Sequence, residues 1–110
     1  MPTQCNAQAE PALSISSRVN EALDLLQEEC AEVIQARSKV RRFGSDFRGR
    51  GGKADYTAHE ELQREIYDVL ILIDFLVEHG YVDKDYTGYY ETEKMEKLLK
   101  WTNIYRDGVL

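Results

Sequence analysis

The sequence predicts an all-α protein. Two long stretches repeat their apolar residues at the 3.6-residue period of a helix, and a shorter, weaker one follows. No segment alternates apolar and polar residues for long enough to suggest a strand. With 110 residues the chain is one domain by size. A domain this small buries a limited share of its surface, so the expected architecture is a bundle of three to four helices per chain, completed by oligomerisation.

Residues 1–12 are polar, contain Pro2 and Pro11 and have no period; they read as a disordered tail ahead of a single helical domain over 13–110. Leu13 to about Phe43 reads as the first helix. Val19, Leu23, Leu26, Cys30, Val33, Ile34 and Arg37 recur at helical spacing, Ser14, Ser16 and Ser17 are alternative N-caps, and Gly44 is a natural stop. Gly44 to Tyr56 holds four glycines and no apolar period, which makes it a loop. Thr57-Ala-His-Glu60 is a capping box that opens a second helix, running to about His79 with Gly80 at its C-cap. The stripe of this helix, Leu62, Ile66, Val69, Leu70, Ile73, Leu76 and Val77, is widened by Leu72 and Phe75, so it needs apolar partners on most sides. Val82 to Thr87 reads as a connection. Tyr89 to Tyr105 forms a third helix with the weaker stripe Met95, Leu98, Leu99, Trp101 and Thr102, closed by Asp107-Gly108.

Composition narrows the function classes. Apolar residues are 43% and charged residues 31%, as in ordinary soluble globular domains. No apolar run approaches the roughly 18 residues of a membrane helix, and the first residues lack the basic start and apolar core of a secretory leader. Cys5 and Cys30 lie in unrelated contexts, which argues against a disulfide or zinc framework and for a reducing cytoplasm. The net charge of −6 argues against binding nucleic-acid polymers. Its distribution is uneven: Arg37 to Lys53 carries seven basic residues and one acid, a balance of +6, against −12 elsewhere. A basic segment beside acidic helices suits a small polyanion held partly through metal ions; a solvated loop would carry the same charges.

The most informative feature is the placement of four acids. On a wheel advancing about 100° per residue, Glu29 falls in the sector of Ala22, Leu25, Leu26, Val33 and Ala36, with Glu32 one turn on at the sector's edge. On the second helix Glu65 falls among Leu62, Val69, Leu72 and Leu76, and Asp68 stands to it as Glu32 stands to Glu29. One such acid pair is common on solvated helices. Two in the same relation, beside or within faces that should be buried, require neutralisation. Neither stripe supplies cations in number, Arg37 being the one on the first, so divalent ions preferring oxygen ligands are the economical solution. Glu28 points away from the stripe, and Glu60 and Glu61 suit the first turn of a helix through capping and its dipole.

Other chemistries fit less well. Di-iron bundles use Glu-x-x-His, and neither His59 nor His79 follows a glutamate at that spacing; both suit structural roles at helix ends. Cys30 has no adjacent base and is expected to pack as a small hydrophobe. Gly49-Arg-Gly-Gly-Lys53 lacks the glycine spacing, the Ser/Thr after Lys and the preceding strand of a P-loop, although Arg48, Arg50 or Lys53 could still close over phosphates.

Glu28-Glu29-Cys-Ala-Glu32 followed by Glu65-Ile-Tyr-Asp68 resembles the E-E-x-x-E and E-x-x-D motifs of MazG-like all-α nucleoside triphosphate pyrophosphohydrolases. Leu25 to Gln35, Ser38-Lys-Val-Arg-Arg-Phe-Gly44 and Leu70-Ile-Leu-Ile-Asp74 look like the short, often phage-encoded members, and the likeness covers about residues 17–80. It implies hydrolysis of a (d)NTP between the α and β phosphates, with Glu29, Glu32, Glu65 and Asp68 ligating Mg²⁺ or Mn²⁺ and Glu28 or Glu32 as candidate general base. It further implies phosphate contacts from Lys39 and Arg42, a homodimer or homotetramer, and a cytoplasmic setting, that of the host if phage-encoded. Asn20, about two turns before Glu29 and carrying a donor and an acceptor on one side chain, suits a nucleobase edge, as it would equally suit a solvated helix position. The purine-specific MazZ type, acting on dGTP, and the dUTPase or dCTPase type remain alternatives for the base; a non-enzymatic helical interaction domain is the alternative outside catalysis. The chain departs from compact members in its 32-residue spacer between Glu32 and Glu65, whose extra length lies in the Gly/Arg loop.

Overall fold

The computed structural model describes residues 16–84 and 87–106. Among these the chain is all-helical, with three α-helices and no strand: α1 (Ser17–Phe43), α2 (Ala58–Glu78) and α3 (Thr87–Trp101). The expected tail, Cys5, Leu13, Ser14 and the Asp107-Gly108 stop lie outside the described residues. No helix among the described residues is long and apolar enough to cross a membrane.

Of the serines offered as caps, Ser16 is the one used. Its backbone is extended and its hydroxyl accepts the Val19 N–H at 3.2 Å, so α1 opens at Ser17. At the other end Gly44, at φ 92°, donates its N–H to the Val40 carbonyl at 2.9 Å. The capping box of α2 forms as expected: Thr57 Oγ1 accepts from the Glu60 N–H at 3.0 Å, and a Glu60 carboxylate oxygen accepts from the Thr57 N–H at 2.8 Å. That donated N–H is the first reason Glu60 sits below the usual glutamate range.

The end of α2 is displaced by one residue from expectation. His79 is the C-cap and Gly80, at φ 77°, is the left-handed residue after it. The Gly80 N–H reaches the Val77 carbonyl and the Tyr81 N–H the Leu76 carbonyl at 2.9 Å, a Schellman closure. Tyr81 then folds back on the Leu76 cluster, the apolar contact that usually accompanies this motif. Helix α3 starts two residues before the expected Tyr89 and ends at Trp101, short of Tyr105. The Thr102 hydroxyl donates to the Leu98 carbonyl at 2.6 Å just past the helix end.

Helices α1 and α2 form an antiparallel hairpin, the only extensive helix–helix packing among the described residues. Its seam is Val19, Ala22 and Ala36 from α1 and Ala58 and Leu76 from α2, with Leu23, Leu26, Leu72 and Phe75 against it; Leu76 is only 1% exposed. The loop between them is more ordered than a glycine-rich stretch suggests. It contains a single 3₁₀ turn, Arg50–Gly52, entered through Gly49 at φ 78°. Arg48 donates to the Ala54 and Asp55 carbonyls, and the Ser45 and Phe47 carbonyls accept from His59 and Ala58. The loop thereby satisfies two of the N–H groups that the first turn of α2 leaves without partners.

Candidate metal centre

The hairpin brings three of the four predicted acids together. Glu29 of α1 and Glu65 and Asp68 of α2 each place a carboxylate oxygen within 4.8 Å of the others, Glu29 and Glu65 half-buried and Asp68 exposed. The cause is local. Glu29 interrupts the packed face of α1 between Leu26 and Val33, and Glu65 that of α2 between Leu62 and Val69, so antiparallel packing sets them against each other. Asp68, almost one turn after Glu65, flanks it on the open side.

Electrostatics register the crowding. The Glu65 carboxyl is held above the ordinary glutamate value of 4.5, first by burial, then by its hydrogen bond with Glu29 and by the charges of Glu29, Glu32 and Asp68. Among the described residues, no Lys, Arg or His forms an ion pair with any of these four acids. Three hard oxygen donors in one small volume, paired with no cation among the described residues, are a donor set that fits Mg²⁺ or Mn²⁺ and leaves positions for further oxygen ligands.

Glu32 stands apart. It is exposed, within electrostatic reach of Glu65, but its oxygens do not join the triad. Glu28 is exposed on the outer side of α1. Lys39 lies two turns beyond Glu32 and is already engaged, its ammonium 3.0 and 3.2 Å from the two Glu61 oxygens. Arg42 is exposed, with its guanidinium 5.0 Å over the Phe43 ring. Asn20 is exposed too, but it precedes Glu29 by nine residues and so lies about 180° round the helix from it. The fold does not bring Asn20 to the acids of its own chain. His79 has the structural role expected of it, stacked on Phe75 with Nδ1 3.0 Å from the Phe75 carbonyl. Cys30 is exposed, contrary to the packed position expected, because it sits to one side of the seam.

Glu61 is the residue that sequence reading passed over as a helix-dipole acid. Glu61, Glu65 and Asp68 stand at i, i+4 and i+7, and this shared edge was the available signal. A surface depression lies elsewhere, around Val77, Glu78, Gly80 and Val82 at the far end of α2, and is lined by none of the predicted residues. The acid cluster lies instead along an open edge of the hairpin. Comparison of the chain with protein-family models, with curated proteins and with solved structures finds no match.

Proposed function

We infer that this chain is a divalent-metal-dependent nucleoside triphosphate pyrophosphohydrolase of the MazG-like kind, converting a (d)NTP to the monophosphate and pyrophosphate. The observation that carries the reading is the approach of Glu29, Glu65 and Asp68 oxygens from two helices to within 4.8 Å, with no ion pair to a cation among the described residues. Mg²⁺ or Mn²⁺ bound there would bridge phosphate oxygens, offset developing charge and acidify a water. The three carboxylates would hold such an ion between two helices, and exposed Glu32, within electrostatic reach of Glu65, would act as the general base. The E-E-x-x-E and E-x-x-D resemblance supports the reaction type; the base, dGTP or a pyrimidine nucleotide, follows from neither.

The reading includes a homo-oligomer. Beside the seam, on the side opposite the acids, Ile66, Leu70 and Ile73 of α2 join Ile34 of α1 in an exposed apolar face, with Ile34 70% exposed. Exposed apolar residues at helical spacing suit an interaction surface, and a second hairpin of the same chain is the partner that matches their helical spacing. The same face favours one competing reading, a non-enzymatic helical interaction domain.

A panel of eight nucleotides with Mg²⁺ or Mn²⁺, read for pyrophosphate against orthophosphate, tests the assignment. Metal-dependent pyrophosphate release from at least one nucleotide is expected, and the preferred base separates the purine type from the dUTPase or dCTPase type. No release from any of the eight, together with no metal-linked rise in melting temperature, would favour the interaction domain.

A further inference from the structure

We propose that Glu61 is a specificity-determining residue: it neutralises Lys39 until the far end of a polyphosphate chain takes the ammonium from it. This rests on the reading of Glu29, Glu65 and Asp68 as a metal centre. Lys39 and Glu61 are 22 positions apart and meet only because the loop folds α2 back along α1. Both Glu61 oxygens receive the ammonium, at 3.0 and 3.2 Å, and the two side chains are 40% and 39% exposed. An ion pair that open to water contributes little to stability, so exchanging it costs little.

Its position gives the exchange a purpose. Glu61 precedes Glu65 by four residues, which is about 6 Å along the helix on the same edge. A phosphate anchored at the acid cluster does not extend to Lys39, whereas a chain of several phosphates does. Once the ammonium turns to a phosphate oxygen, the Glu61 carboxylate is left beside a polyanion and repels it. Lys39 thus favours long chains, Glu61 sets a threshold against them, and a single phosphate meets neither. The recognised chemistry is a linear polyphosphate, free or carried by a nucleoside.

The test is calorimetric titration of the Mn²⁺-loaded protein with inorganic tripolyphosphate and with orthophosphate, on wild type, Lys39→Met and Glu61→Gln. Mn²⁺ affinity should be unchanged in both variants, which also reports that they fold. Tripolyphosphate should bind about tenfold more weakly to Lys39→Met, the scale of one charge-assisted hydrogen bond, and about threefold more tightly to Glu61→Gln. Orthophosphate should bind all three alike, and nucleoside triphosphates should follow tripolyphosphate. Unchanged tripolyphosphate affinity in either variant, or orthophosphate shifting in parallel, would overturn the proposal while leaving the metal centre standing. Failure of wild type to bind Mn²⁺ at all would overturn the metal centre and this proposal with it.

Discussion

The two edges of the α1–α2 hairpin start from the same helical periodicity and end with opposite chemistry. Along one edge Glu29, Glu65 and Asp68 crowd together beside Glu32 and the Lys39–Glu61 pair. Along the other, Ile34, Ile66, Leu70 and Ile73 stand exposed, with no third helix among the described residues extensively packed on them. Each edge is unfavourable alone, one through like-charge repulsion and the other through apolar surface in water. The contrast teaches that a small hairpin can divide its liabilities: on the proposed function, a cation would relieve one edge and another copy of the chain the other. Among the described residues it is the seam between them, with Leu76 and the alanines at 22, 36 and 58, that is buried.

Breaking the acid edge should have the largest effect. Glu29→Gln and Asp68→Asn are expected to weaken Mn²⁺ binding and turnover by about a hundredfold or more, since even residues behind metal ligands matter by about 10–100-fold. Circular dichroism should show the helices intact. The seam comes next. Leu76→Ala removes the most buried large side chain and should lower unfolding free energy by about 2–5 kcal/mol in a denaturant titration. If the proposed oligomer forms through the apolar edge, wild type should scatter light as an oligomer and Leu70→Asp as a monomer, with Mn²⁺ affinity unchanged because Leu70 lies away from the acids.

The smallest expected effect sharpens the contrast through pH. A glutamate whose carboxyl is raised in the folded state binds its proton more tightly folded than unfolded. The stability Glu65 contributes is therefore fully present below 4.5 and lost as pH rises through its higher folded value. In metal-free protein, Glu65→Gln should melt above wild type at neutral pH, with the difference shrinking to nothing below pH 4.5. Added Mn²⁺ should reverse the order by stabilising wild type alone. Calorimetry at a series of pH values, with and without Mn²⁺, checks both signs.

Much of this was legible from periodicity. The class, both hairpin helices and the capping box at Thr57 followed from residue spacing, and the wheel alone placed Glu29 and Glu65 within packed faces. The rest depended on information that spacing does not hold. Ser14, Ser16 and Ser17 offer the same hydroxyl chemistry, and the backbone dihedrals decide for Ser16. The Lys39–Glu61 pair depends on hairpin register, which the loop sets through Arg48 and the positive-φ glycines. The wheel put Glu32 at the sector's edge, and a position at an edge does not say which way a long side chain turns. Asn20 was chosen for its chemistry and its distance along the helix, but direction round the helix separates it from the acids.

Crystals grown with Mn²⁺ and measured for anomalous scattering give the most direct test of the central claim. The account predicts an anomalous peak enclosed by the carboxylates of Glu29, Glu65 and Asp68. Saturating Mn²⁺ with no peak there, or with peaks only at scattered surface acids, would contradict it.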